Sequence, residues 1–285
     1  MVGSALVRTA KQRGYSEIVT RTHQQLDLLN NAEVDAFFEA EKPDWIFLAA
    51  AKVGGIYAND TYPADFLLEN LKIQNNIIES AYKHKASKLL FLGSSCIYPR
   101  NSPQPIKETH LLTSELEPTN EPYAIAKITG IKLCGAFNKQ YGTNYISVMP
   151  SNLYGFGDNY HPENGHVLPM LLRRFHEAKL NDDQTVTVWG TGKPKREFLF
   201  ADDMAEACFY LMENYQATEI GELINIGTGE EISIRDLAYL IKKVVGYDGE
   251  IVFDTTKKDG TMLKKMDVSR LEKLGWKYKT TLEEG

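Results

Sequence analysis

The sequence predicts an α/β fold: a doubly wound parallel sheet followed by a smaller α+β region. Three observations carry this. Apolar runs of strand length alternate with helix-length segments through the first half of the chain. Those runs are nearly continuous rather than alternating with polar residues, as in strands covered on both faces. The rhythm then breaks after residue 150, in a stretch rich in Gly, Asn and Pro.

Taken in order, "MVGSALVRTAKQRG" reads as a first helix with Gly3 near its start. "SEIVT" (16–20), "DWIFLAAA" (44–51), "KLLFLGSS" (88–95) and "YISVMPSN" (145–152) read as strands, and residues 31–41, 63–84 and 121–140 as the helices between them. Right-handed crossovers turn this alternation into a Rossmann-like sheet with helices on both faces. "SNLYGFGDNYHPENGH" (151–166) reads as a long loop, a length that in compact domains usually serves function. A helix from Val167 to Ala178, the strand "TVTVWG", the mixed segment 195–215, "ELINIG", the helix "SIRDLAYLIKKVVG" and "EIVFD" make up the smaller region. The expected division is therefore residues 1–150 and 151–285, with part of 195–215 returning to the first unit.

At 285 residues, 43% hydrophobic and 25% charged, the chain can bury a full core. It has no apolar run of membrane-spanning length and no leader pattern. Its three widely spaced cysteines form neither a disulfide framework nor a zinc spacing, which places the protein in the cytoplasm. A net charge of -6 argues against nucleic acid as a partner, while local basic clusters can still hold a small anion.

The chemistry gathers at two places. The third apolar run ends in "GSSCIYP", with Ser94, Ser95 and Cys96 at a strand mouth. "YAIAK" sets Tyr123 and Lys127 four apart, on one helix face. An ammonium beside a phenol favours the phenolate, so the expectation is a tyrosine whose pKa is lowered for acid/base work. The spacing recurs at Tyr239 and Lys243, where a core tyrosine and a solvated lysine are expected.

With these motifs, and with "LAAAKVGGI", "TYPADF", "LEPTNEPYAIAKI", "SVMPSNLYG", "LLRRFHEA" and "REFL", the chain resembles the extended short-chain dehydrogenase/reductases acting on nucleotide sugars. Within them it is most similar to the GDP-L-fucose synthase family, along essentially its whole length. That resemblance implies NADPH-dependent 3,5-epimerisation and 4-reduction of GDP-4-keto-6-deoxy-D-mannose. Tyr123 would be the acid/base at the C4 oxygen, Lys127 its partner on the nicotinamide ribose, and Ser94 a donor to the C4 carbonyl. Inverting C3 and C5 takes protons from one face and returns them to the other, which one tyrosine cannot do. Cys96 and His166 are implied as that second acid/base pair.

The resemblance further implies Arg174, Trp189, Arg196 and Asp259 as contacts to the GDP-sugar. Charge alone shows only two basic clusters, Arg173–Arg174 and Lys193, Lys195 and Arg196, either of which could fork a diphosphate. NADP would be held by Gly3, Arg21, His23, Asp27, Leu28, Leu92, Gly93, Ser94, Ser95, Lys127, Pro150, Ser151, Asn152, Leu153 and His166. Arg21 and His23 stand where an NAD-selective site carries an acidic residue, which favours the 2′-phosphate of NADP. A strand and further glycines ordinarily precede such a first helix, so the reading is of a sheet lacking its first strand, in a chain that is poorly stable and binds NADPH weakly. The family resemblance implies a homodimer formed through helices 63–84 and 121–140. Two other readings stay open: a nucleotide-sugar 4-epimerase or 4,6-dehydratase that recycles NAD, and a non-catalytic dinucleotide-binding subunit.

Overall fold

The computed structural model describes residues 1–162, 165–257 and 259–285. In chain order the helices are α1 (Val2–Gln12), α2 (Asn31–Glu41), α3 (Ile56–Thr61), α4 (Pro63–Lys83), α5 (Glu121–Tyr141), α6 (Val167–Leu180), α7 (Ala201–Asn214), α8 (Ala217–Ile220), α9 (Ile234–Val245) and α10 (Ser269–Lys273). The strands are β1 (Trp45–Leu48), β2 (Lys88–Leu92), β3 (Tyr145–Pro150), β4 (Asn152–Tyr154), β5 (Thr185–Trp189), β6 (Lys195–Arg196), β7 (Phe198–Phe200), β8 (Ile224–Ile226), β9 (Ile232–Ser233) and β10 (Glu250–Asp254).

The main sheet is parallel, in the order β1-β2-β3-β8. Period-2 alternation sends successive side chains to opposite faces. Leu90, Leu92, Ile146 and Val148 pack with α1 and α7, whereas Leu89, Phe91, Tyr145 and Met149 pack with α2, α4 and α5. The sheet is thus covered on both sides, as the continuous apolar runs require. A separate core joins α6 and α9 to the parallel pair β5-β10 and to Phe198 of β7.

Three elements differ from the sequence reading. Ser16–Thr20 forms no strand: it is mostly exposed and, among the described residues, has no ladder partner. High β-propensity becomes a strand only where a neighbour satisfies its backbone groups. Ile224–Ile226, expected in the smaller region, pairs with β3 in the main sheet, because a three-residue buried run carries no mark of which sheet it joins. The stretch 151–166 is not all loop, since β4 pairs with β7; residues 163–164 of that stretch lie outside the described residues. The α7 part of 195–215 does join the main-sheet core.

Close contact of α4, α5 and β2 depends on Gly130. A Cβ there would lie 2.3 Å from Cζ of Phe91 and 2.9 Å from Oε1 of Gln74, whose Nε2 donates to the Ala126 carbonyl at 2.8 Å. Gly130→Ala is expected to cost about 1–3 kcal/mol by overpacking, despite alanine's better helix propensity. Urea unfolding should show a lower midpoint, and an unchanged midpoint would mean that this contact is not tight.

Candidate active site

The end of β2 builds the first half of the site. After the fully buried strand the chain turns through a short 3₁₀ segment, Ser95–Ile97, with Ser94 capping the Cys96 amide at 3.5 Å. This turn lodges Cys96 in the interior, where Ser95 and Ile97 are also buried. The other half comes from the first two turns of α5. Pro122 in the first turn suits a helix start, because its missing N–H would have no intrahelical partner there.

Tyr123 and Lys127 do lie on one face, with Nζ 5.9 Å from the tyrosine ring centroid. Their relationship differs from the sequence expectation. Nζ of Lys127 donates to the Leu92 carbonyl at 2.9 Å and lies 5.0 Å from the Phe91 ring. The lysine is 4% exposed, and desolvation pushes its pKa down to about 8. Burial, with the Cys96 thiol adding to it, raises the Tyr123 pKa above its ordinary value, and the Ser94 hydroxyl opposes that shift. The phenol is therefore held protonated. Lys127 does not lower it, because the ammonium is turned to the strand end and desolvated itself. Burial also raises the Cys96 pKa, opposed by Lys264, Ser94 and Lys127.

The second part is a cavity of about 500 Å³. It is lined by His166 at the N-cap position of α6, by Asn152 and Leu153 of β4, and by Arg174, Trp189, Arg196 and Asp259. Arg174 donates to the Thr187 carbonyl at 2.6 Å and lies 5.3 Å from the Trp189 ring centroid. Arg196 donates to the Lys195 and Thr261 carbonyls at 2.7 and 2.6 Å. Burial lowers the pKa of both guanidinium groups. Asp259 accepts from the Thr191 amide at 2.9 Å and hydroxyl at 2.6 Å, which keeps its carboxyl below the usual range. Arg173 and Lys195 are not part of this wall: they pair with Glu177 at 2.6 Å and Glu231 at 2.8 Å. Cys96 and Lys127 are buried, with Ser94 and Tyr123 half-buried beside them, and none of the four is among the residues lining the cavity.

Of the expected dinucleotide residues, Gly93, Ser94 and Ser95 follow β2, and Pro150, Ser151, Asn152 and Leu153 run from β3 into β4. Oγ of Ser151 is buried without a hydrogen-bond partner. A Cβ on Gly3, in the first turn of α1, would meet nothing within 4 Å. Arg21 is paired with Glu41 and lies 5.3 Å from the Phe37 ring, while His23 is exposed. Asp27 accepts from the Leu29 amide at 3.0 Å, and the Leu28 carbonyl accepts from Asn76 at 2.8 Å. The second Tyr-x-x-x-Lys pair is plainly superficial. Tyr239 is 50% exposed rather than in the core, and Lys243 pairs with Glu283 at 2.6 Å.

Sequence reasoning missed three groups. Lys264 is near enough to Cys96 and Arg196 for each to feel its charge. Asn59 and Asn120 line the cavity. Glu197, fully buried, accepts from the Thr228, Gly229 and Met266 amides at 2.7, 3.1 and 2.8 Å, and its own carbonyl accepts from Asn152. Glu197 stands between Arg196 and Phe198, a context that does not mark it as buried, and its partners are backbone groups distant in sequence.

A parallel, doubly covered sheet with a Ser-Tyr-Lys set at one strand end defines a class. The chain belongs to the NAD dependent epimerase/dehydratase family, which matches residues 1–227. Within it, the chain is 58% identical over 285 residues to GDP-L-fucose synthase 1 of Arabidopsis thaliana, covering 100% of this chain and 87% of that one. It is 55% identical to GDP-L-fucose synthase of Escherichia coli, covering 100% and 91%. The solved structure of a GDP-mannoheptose C4 reductase from Campylobacter jejuni with NADP bound is similar at a TM-score of 0.93 and 41% identity, covering 100% of this chain and 92% of that one.

Glu197→Gln swaps one acceptor oxygen for an NH₂ that must face a backbone N–H. We expect it to lower stability by about 1–3 kcal/mol, the cost of buried polar groups left unpaired. Thermal unfolding checks this, and equal melting would show that the three amides find other partners.

Proposed function

We propose that this protein converts GDP-4-keto-6-deoxy-D-mannose to GDP-L-fucose, inverting C3 and C5 and reducing C4. The observation that carries the reading is the thiol of Cys96 inside the Ser94–Tyr123–Lys127 cluster: reduction needs one proton donor, and the extra acid/base serves inversion. Identity of 55–58% to GDP-L-fucose synthases along the whole chain supports it.

The residues present fit a dinucleotide. The buried Lys127 ammonium, the unpartnered Ser151 hydroxyl and the open space over Gly3 all suit one. NADPH would be held by Gly3, Arg21, His23, Asp27 and Leu28 toward its adenosine end, and by Leu92–Ser95, Lys127, Pro150–Leu153 and His166 toward its nicotinamide. When bound, it supplies the hydride for C4. Ser94 and Tyr123 hold the C4 oxygen, and Tyr123, kept protonated by burial, gives it a proton. Lys127 fixes the tyrosine and holds the ribose. For inversion, His166 takes the proton α to the ketone and Cys96, favoured as the neutral thiol, returns one to the opposite face. Arg174 and Arg196 hold the diphosphate, with Trp189 and Asp259 beside them.

In this reading residues 1–150, with α7, carry the cofactor, and most of 151–285 carries the substrate. The active form is a cytoplasmic homodimer joined through α4 and α5, which expose Leu68, Tyr82, Ile125 and Tyr141. All three cysteines are unpaired, in keeping with a reducing compartment. Among the described residues, no helix is long and apolar enough to cross a membrane.

The test is net oxidation of NADPH by GDP-4-keto-6-deoxy-D-mannose, with GDP-L-fucose as product. Tyr123→Phe should lower turnover by about 10²-fold or more, the scale of a lost general acid. In D₂O the wild type should carry deuterium at C3 and C5. Cys96→Ala and His166→Ala should each lose exchange or inversion while still slowly reducing the uninverted ketone. Cofactor recycling without net oxidation would instead mark a 4-epimerase or dehydratase, and normal inversion in both variants would remove Cys96 and His166 from the mechanism.

A further inference from the structure

Two asparagines in the cavity wall have no part in the chemistry above. Asn59, in α3, is 6% exposed. Its Nδ2 donates to the Gly54 and Gly55 carbonyls at 2.9 and 3.0 Å, which fixes the orientation of the amide. Oδ1 is left as a buried acceptor with no hydrogen-bond partner. Asn120 occupies the N-cap position of α5, three residues before Tyr123, yet its side chain makes no cap bond. Asparagine is among the best N-cap residues, and forgoing the cap costs about 1 kcal/mol. Its Oδ1 is also buried and without a partner.

The two residues belong together: α3 packs against the turn Pro118–Asn120, and both residues line the same cavity as His166, Arg174 and Arg196. An unpaired buried acceptor costs about 1–3 kcal/mol, so two in one wall call for a donor from outside the chain. The substrate of the proposed reaction offers a matching number. With C1 bonded to phosphate, C4 a ketone and C6 a methyl, its hexose keeps two hydroxyls, on C2 and C3.

We propose that Asn59 and Asn120 are specificity-determining residues that accept hydrogen bonds from these two hydroxyls. Asn120 takes the 3-OH, next to the C4 oxygen held by Tyr123 one helical turn on, and Asn59 takes the 2-OH. The inference rests on the functional reading above. It makes the site selective for a hexose bearing both hydroxyls, because an analogue lacking either leaves an acceptor buried and unpaired.

A substrate–variant cycle tests it, using kcat/KM from NADPH oxidation with the parent substrate and its 3-deoxy and 2-deoxy analogues. Asn120→Ala should lose about tenfold or more with the parent and the 2-deoxy analogue, yet change little with the 3-deoxy analogue. Asn59→Ala should show the mirror pattern, sparing only the 2-deoxy analogue. Asn120→Asp, which keeps an acceptor oxygen, should preserve discrimination against the 3-deoxy analogue. Because the cycle compares substrates within one variant, loss of the Gly54–Gly55 clamp alone would lower all three rates equally, and that pattern overturns the proposal. Unchanged rates in both alanine variants overturn it too. No turnover of the parent by wild type would remove the functional reading and this inference together, whereas turnover without coupling removes the inference alone.

Discussion

The bond from Lys127 Nζ to the Leu92 carbonyl holds the site together. One partner is on the helix that carries Tyr123, the other is the last residue of the strand that delivers Ser94 and Cys96. Together with the hydrogen bond between Ser94 and Tyr123, the Lys127 bond ties the two halves of the cluster across their apolar packing. The bond forms where water is absent, and charge there is expensive. Desolvation accordingly dominates every titrating group of the cluster, lowering Lys127 and raising Tyr123 and Cys96. The outcome is a set of neutral donors around one cation, an arrangement suited to giving a proton to a developing oxyanion.

Glu197 does for the two cores what Lys127 does for the cluster. It lies between Arg196 and the buried Phe198, and its carboxylate gathers amides from the loop after β8 and from the Met266 segment. Its backbone carbonyl takes Asn152 Nδ2 at 2.8 Å. A proposed cofactor asparagine is therefore held by the residue next in sequence to a proposed substrate arginine. The neighbouring Asn225 extends the network. It accepts from the Tyr98 hydroxyl at 2.6 Å and donates to the Ile106 and Asp267 carbonyls, pinning the chain just beyond Cys96.

Much of this was legible in the sequence, for reasons that also mark its limits. Lys88–Leu92 and Tyr145–Pro150 were readable because burial on both faces leaves an uninterrupted apolar run. Ser16–Thr20 carries only Ile18 and Val19 as apolar residues and forms no strand, since β-propensity does not supply a partner. Tyr123 and Lys127 share a face because helix geometry guarantees it, but the lysine's partner is a carbonyl 35 residues earlier, which spacing cannot reveal. The cationic neighbours of Cys96 include Lys264, brought there only by tertiary folding. Asn59 and Asn120 lie in Gly- and Pro-rich segments, where asparagine reads as a turn former. Only their unpaired oxygens, visible in three dimensions, distinguish them.

The central claim is that the catalytic cluster is dry, with its lysine destabilised in charged form and its tyrosine kept neutral. Direct titration of Lys127 by NMR, using ¹³Cε- or ¹⁵Nζ-labelled lysine and Lys127→Met to assign the resonance, tests it in the cofactor-free protein. Because burial lowers the folded pKa, the ammonium should lose its proton near pH 8, well before exposed lysines near ~10.4. Titration alongside the exposed lysines would mean that water reaches the cluster, and the account of Tyr123 as a burial-stabilised proton donor would fail with it.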